Sequence, residues 1–283
     1  MTLFSLLLVL GWERLFKLTD YWQFDSRIEP LFLYQRRYSL VNTLLLLLLV
    51  LLITVLVTQL SAGLFFGLVY WILWILLATL CIGAGRIREH YHSWLELAGR
   101  DDTAAHLAMA GEITLIHGAP NQSDEETFLR ELQNALLWVN YRFYLAPMLC
   151  LVAGGRWGPV LLVSYAFLRA SQSWFARHKT PDERKQSGVD RILHWVDWIP
   201  VRLVGIAYVL LGSGERALPV WLKSLSDIHT SQYQILTQLA QFSLSSSAAD
   251  KVETPRLAVS MAKRVSIAII VTVALLIIYG ALV

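Results

Sequence analysis

Charge is scarce in this 283-residue sequence. Asp, Glu, Lys and Arg make up 16% of it, against about 25% in an ordinary soluble domain. The net charge is only +3, and the basic residues are scattered. No dense basic stripe is present, so no nucleic-acid partner is expected. Cysteine is nearly absent: Cys81 and Cys150 both lie in apolar runs with no CxxC spacing. That excludes a disulfide framework and a cysteine-based metal site, and it reads as two buried, reduced thiols. HExxH, GxSxG and the phosphate-binding P-loop are all missing. "GSGERA" at 212–217 matches a loose G-x-G-x-x-A, but no βαβ pattern surrounds it, and a helix C-terminal turn accounts for its glycines. His90 and His92 are two apart, on opposite sides of a helix, so the pair does not chelate. No alternating strand pattern competes with the helical one, and no repeat at solenoid spacing is visible. The expected fold is all-α.

What is abundant is apolar: 56% of the chain. Runs at 44–60 and 64–83, separated by "SAG", predict a transmembrane helical hairpin, and 265–283 predicts a last spanning helix. The short run 3–10 lacks a basic residue before it and a small-residue cleavage site after it, so it is not read as a signal peptide. Arg36 and Arg37 precede the hairpin, Arg86 and Arg88 follow it, and Lys263 and Arg264 precede the last span. By the positive-inside bias these flanks are cytosolic. The expectation is a multi-pass protein of the bacterial inner membrane, its polar segments mostly cytosolic and the lipid bilayer its first partner.

The segment 143–168 is long enough to span once, but Arg156 lies near its middle among Gly154, Gly155, Gly158 and Pro159. A single crossing puts the thirteen Lys and Arg residues of 169–264 outside, against the bias. A re-entrant hairpin keeps them inside, with arms of roughly 12 residues, about 18 Å each. The segments read as follows. Residues 1–43 form a membrane-associated helix and cytosolic segment, 44–84 the hairpin, 85–142 a cytosolic helical segment, and 143–168 the re-entrant hairpin or span. Residues 169–264 form a second cytosolic helical segment with a linker at 243–250, and 265–283 the last span.

"SDEE" at 123–126 and "TPDE" at 180–183 are capping boxes, each predicting a helix. The first helix runs to about Phe143 and carries Glu131, Asn134 and Arg142. A helix over 189–199 places Asp190, His194 and Asp197 on one stripe, a spacing that allows three ligands or acid–base groups, or a solvated polar face. The run 199–212 begins with "IPVR" and is too short to span unaided. Arg142 and Arg202 lie beside apolar runs, where a charge is costly, and are expected to pair with Glu131, Asp190 or Asp197. Together Glu131, Asn134, Arg142, Asp190, His194, Asp197 and Arg202 are the candidate pocket at the cytosolic boundary, able to hold an anionic ligand.

"GRDDTAAHLAMAGEITLIHGAP" (99–120), "RELQNALLWVNYRFYLAP" (130–147), "DWIPVRL" (197–203), "HTSQYQILTQLAQFSL" (229–244) and "DKVETPRLAVSMAK" (250–263) resemble the AmpE family over essentially the whole chain. That resemblance implies a regulatory role in β-lactamase induction and peptidoglycan recycling, with the cytosolic amidase AmpD as partner and an anhydro-muropeptide as ligand. A fainter likeness, on "GRDDT", "AP" (146–147), the glycine pair 154–155 and "DWIPVR", is to the membrane-bound adenosylcobinamide-phosphate synthases. It implies an ATP-dependent amide ligase as the alternative, with Mg²⁺ and ATP as cofactors only in that case. Asp197 stands where those enzymes carry Asn, and His194 where they carry an acid, while Pro200 and Arg202 are kept. This likeness implies a related scaffold rather than the same reaction. A muropeptide or small-anion transporter ranks last, because few spans and no repeats are visible. Catalysis by the chain itself is not expected on the leading reading, and no cofactor is evident.

Overall fold

The computed structural model describes residues 5, 8, 9, 11, 12, 23–33, 39–97, 108, 110–117, 125–212, 214–244 and 250–280. These are mostly helical, with no strand among the described residues, so the fold is all-α. Among the described residues four stretches are long and apolar enough to cross a membrane: Leu40–Ala62, Leu64–Leu97, Glu125–Ala153 and Glu253–Ile278. The chain divides into two compact units. The first is Met1–Gly85, Ala146–Leu193 and Val273–Val283, and the second is Arg86–Leu145 and His194–Thr272.

In the first unit, α1 (Phe24–Leu33) precedes α2 (Leu40–Ala62), whose start Ser39 caps by accepting from the Asn42 N–H at 3.3 Å. The pattern of α2 is inverted relative to a helix in water. Its buried side chains are Thr43, Thr54, Thr58 and Ser61, while Leu45, Leu48, Leu52, Leu56 and Leu60 are exposed. Thr54, Thr58 and Ser61 follow i, i+4, i+7, and Thr43 lies three turns earlier on the same face. The hydroxyls of Thr54, Thr58 and Ser61 donate to carbonyls of the same helix at 2.8–3.0 Å. Small, internally satisfied side chains pack helices closely, and leucine meets hydrocarbon without penalty. After a turn at Leu64–Gly67, α3 (Leu68–Cys81) buries Trp74, Ala78 and Cys81 on one stripe. The sequence expectation of a hairpin with a minimal connection describes this arrangement.

The second unit opens with α4 (from Gly85–Leu97) and continues with α5 (Glu125–Asn140). The predicted cap Ser123 lies outside the described residues. Helix α5 does not stop near Phe143, as the sequence suggested. It passes through a π-turn at Tyr141–Leu145 into α6 (Ala146–Ala153). Pro147 accounts for the π-turn. It has no N–H for the Phe143 carbonyl and its ring crowds that carbonyl, so the preceding turn widens rather than breaks. The result is a 29-residue helical stretch that reading by hydropathy alone divided.

Returning to the first unit, α6 packs against α7 (Gly158–His178) across a reversal at 154–157. A Cβ on Gly154 would sit 2.7 Å from the Gly158 Cα, and one on Gly158 would run into the Leu151 carbonyl oxygen. The glycines are there for close approach. Helix α8 (Pro181–Ser187) carries the predicted capping box: Thr180 Oγ1 accepts from the Glu183 N–H and Glu183 Oε2 accepts from the Thr180 N–H. The predicted helix over 189–199 is two helices, α9 (Val189–Val196) and α10 (Trp198–Leu211), bent by 52° at Asp197. Pro200 stands at the third position of α10, where no intrahelical N–H is required, so it starts a helix rather than continuing one. In the second unit, α11 (Gly214–Ser224) and α12 (Gln232–Gln241) pack on α10. Helix α13 (Glu253–Ile278) begins twelve residues before the expected span and buries Ala258, Ala262, Val265, Ile269 and Val273 along one stripe. Most of the predicted linker, 245–249, lies outside the described residues.

Gly158→Ala is expected to destabilise the protein by about 1–3 kcal/mol, the usual cost of overpacking a filled contact. Gly63→Ala, with open space around its Cβ, is expected to be nearly neutral. Thermal unfolding of both variants in detergent micelles checks the contrast.

Candidate functional site

The seven predicted residues divide between the units. Asp190 lies in the first, where its carboxylate takes both arms of the Arg184 guanidinium at 2.8 Å and the Gln172 amide at 2.5 Å. The fork geometry makes this a specific pair, but Asp190 is 42% exposed and contributes modestly. The helix that carries Asp190 and His194 ends before Asp197, where the chain bends by 52° into the next helix.

The other six lie in the second unit, built around Arg202. Its position on α10 puts it in the core, 4% exposed. The guanidinium lies over the Trp198 ring, 4.4 Å from the centroid. Nη1 donates to the Trp198 carbonyl at 2.9 Å and to Gln232 Oε1. Nε and Nη2 donate to the Ser224 carbonyl at 3.3 and 2.9 Å, and Nη2 donates also to the Asp227 carbonyl at 2.7 Å. The sequence reading expected a carboxylate partner. These partners are main-chain carbonyls and an amide instead, because the end of α11 and the turn after it point their unsatisfied carbonyls inward. The guanidinium donates its hydrogen bonds to dipoles, and the Asp227 carboxylate acts on its charge electrostatically.

His194 joins the same cage. Its Nε2 is 2.9 Å from the Ile228 carbonyl, and Gln232 Nε2 lies 3.5 Å from its Nδ1. The proton on Nε2 satisfies both contacts. Gln232 thus bridges His194 and Arg202, and the turn 224–228 closes over both. Asp227 shapes that turn: Oδ1 accepts from the His229 and Thr230 N–H groups at 2.9 and 3.0 Å. Hydrogen bonds from Thr230 and His229 hold its carboxyl down at about 2.

Asp197, 4% exposed, accepts a 2.6 Å hydrogen bond from the Tyr141 hydroxyl in the π-turn, where Arg142 is also buried. Tyr141 begins an aromatic chain. It packs on Trp138 at 4.8 Å, Trp138 meets Tyr233 edge-on at 5.6 Å, and Tyr233 stacks on His117 at 3.6 Å. Burial, and then the charge of Glu131, push the Tyr233 hydroxyl up to about 12, which places Glu131 beside this chain. Asn134 accepts from the Gln241 amide at 2.6 Å; Gln241 also reaches Gln133, and Gln133 the Thr254 carbonyl. A seam of amides therefore ties α5 to α12 and α13.

The structure thus joins His194 to Arg202 through Gln232, sets Asp197 on Tyr141, and places Glu131 and Asn134 on separate neighbours along α5. Sequence reasoning placed Trp138 on the stripe of Glu131, Asn134 and Arg142 but missed Gln232, Tyr141, Tyr233 and His117. The aromatic spacing on α5 was the one available signal, and main-chain acceptors leave none. Among the described residues no group of three or more His, Cys, Asp or Glu is placed to hold a metal ion.

The family model described as "Regulatory signalling modulator protein AmpE" matches residues 1–283. A relative from Shigella flexneri, named "Protein AmpE", is 55% identical over 284 residues and covers 100% of both chains. No solved structure matches the chain.

Arg202→Met is expected to cost about 1–3 kcal/mol for each buried acceptor it strands. Arg202→Lys should recover only part of that, since an ammonium cannot reproduce the fork. Unfolding temperatures of the two variants in micelles test the ranking; equal stability of Met and wild type would remove Arg202 from the core. The Asp227 turn has its own signature. A carboxyl depressed in the folded state contributes stability that is fully present above its ordinary value of 3.8 and lost as pH falls through about 2. Asp227→Asn should abolish that acid-range dependence, read as unfolding temperature against pH.

Proposed function

The chain belongs to the AmpE family of regulatory signalling modulators, and from that membership we propose that it acts at the bacterial inner membrane in β-lactamase induction and peptidoglycan recycling, with the amidase AmpD as its cytosolic partner. The observation that carries this reading is a match over the full length of both chains at 55% identity. The four membrane-length helices support a membrane location. The basic flanks Arg86, Arg88, Lys263 and Arg264 support cytosolic polar segments. A buried guanidinium beside His194, hydrogen-bonded to main-chain carbonyls and an amide, is the feature of the site that would favour an anionic ligand such as an anhydro-muropeptide. The ligase reading draws no comparable support. Asp197 is engaged by Tyr141 and Asp190 by Arg184, so neither presents a carboxylate arranged for Mg²⁺ and ATP.

Deleting the gene and restoring it in trans tests the role. Induction of chromosomal β-lactamase by a β-lactam should change on deletion and return with the wild-type chain; an unchanged induction curve and unchanged anhydro-muropeptide pools would sink the proposal. Site-specific crosslinking from Thr180 and Lys251 should capture the amidase. Orientation is checked with fusions: a fluorescent reporter after Thr180 should be active, and an alkaline phosphatase after Gly63 should be active, with the reverse pattern inverting the assignment.

A further inference from the structure

We infer that the reversal at 154–157 is not a half-depth loop but a lipid anchor: it reaches the membrane face opposite the basic flanks and holds phospholipid headgroups there through Arg156 and Trp157. The argument stays within the first unit and uses α2, a helix of membrane length, as the ruler.

The tip of the α6–α7 hairpin is tied to the tip of the α2–α3 hairpin. The Tyr70 hydroxyl donates to the Arg156 carbonyl at 3.0 Å, and Tyr70 is the third residue of α3, just past the turn Leu64–Gly67. At the other end, Arg169 Nη1 donates to the carbonyl of Cys81, the last residue of α3. Between these two links α3 advances 11 residues and the other chain 13, about 17 and 20 Å at 1.5 Å per residue. The two helices therefore run side by side in the same direction. Helix α7 continues to His178, 21 residues in all, or about 32 Å, against a hydrocarbon core of about 30 Å. Gly188, at the end of α8, then packs so closely on Leu40, the first residue of α2, that a Cβ there would collide with it. From the Tyr70 link to the Leu40 contact, the stretch covers the whole height of α2. A loop that turned back at half depth could not make both contacts.

The chemistry of the tip fits the headgroup layer. The Arg156 guanidinium lies 5.6 Å from the Trp157 ring centroid. Trp157 is exposed, as are Phe65 and Phe66, both held at positive φ in the neighbouring turn. Aromatic side chains with a cation at the end of apolar helices mark a membrane–water interface. Leu60, Leu64 and Leu161 are exposed as well, and exposed leucines on a helix of membrane length such as α2 argue for lipid rather than a protein as the occupant. The cation supplies the complement for phosphate. Helix α7 is not among the four apolar stretches; it reaches this height as a mostly buried helix whose Arg169 is paired with Asp25.

Nitroxide labels at Arg156→Cys, Trp157→Cys, Gly63→Cys and Leu52→Cys in the full-length chain, reconstituted in phosphatidylethanolamine–phosphatidylglycerol vesicles, test the depth. The background is Cys81→Ser/Cys150→Ser, or a chain retaining buried Cys81 should that background fail to fold. Relaxation by oxygen against a water-soluble nickel chelate should make 156 and 157 resemble 63, with 52 several-fold more oxygen-accessible relative to nickel. Values at 156 and 157 that resemble 52 overturn the inference, as does the accessibility of a label in bulk water. In intact cells, an impermeant maleimide should react with Arg156→Cys and Gly63→Cys alike; protection of 156 alone also overturns it. Adding Arg156→Gln to Trp157→Cys should move the label toward the value at 52. A label that does not move removes Arg156 from the anchor.

Discussion

The inverted face of α2 sets the terms for the rest of the molecule. Hydroxyls point into the protein and leucines point out, which is stable only where the surroundings are hydrocarbon. In such a solvent apolar burial gives no drive for helix association, so packing relies on small residues and internal hydrogen bonds. Thr54, Thr58 and Ser61 supply the flat, self-satisfied surface on one hairpin. Gly154 and Gly158 supply close approach on the other.

Two arginines show two answers to that demand. Arg169 meets a carboxylate, Asp25, at 2.5 Å and a main-chain carbonyl at Cys81, so the pair is neutral and hydrogen-bonded. Arg202 meets the Trp198, Ser224 and Asp227 carbonyls and the Gln232 amide, which satisfy its donors while leaving its charge in place. The first arrangement is a lock between helices of one unit. The second holds a guanidinium on main-chain dipoles, next to His194 and within the field of the Asp227 carboxylate. The 52° bend at Asp197 and the π-turn at Tyr141 flank this second arrangement, and each traces to a proline, Pro200 and Pro147, a few residues on.

Much of the scaffold was legible because its signals are local. The two apolar runs around "SAG", the Thr180–Glu183 capping box and the glycines at 154–158 each depend on residues within a turn or two of one another. The long helix Glu125–Ala153 was harder to see. Its apolar residues are largely buried in protein, so the sequence reading ended the helix near Phe143, where the chain instead passes through a π-turn. Of the site, Arg202 and Asp197 were recognisable as costly charges beside apolar sequence. Their partners were not. Gln232 is thirty residues from Arg202, Tyr141 is fifty-six from Asp197, and the remaining acceptors are backbone carbonyls that any residue carries.

The sequence by itself determined that this is an all-helical membrane protein, where its first hairpin lies and which of its ends carry positive charge, because those properties follow from composition, run length and adjacent residues. Only the tertiary structure decided that Arg169 meets a carboxylate while Arg202 meets main-chain carbonyls and an amide, and that the helix after Val189 bends at Asp197. Those outcomes depend on contacts between segments distant in the chain, and the energy of a buried charge is set by the atoms that surround it rather than by its neighbours in sequence.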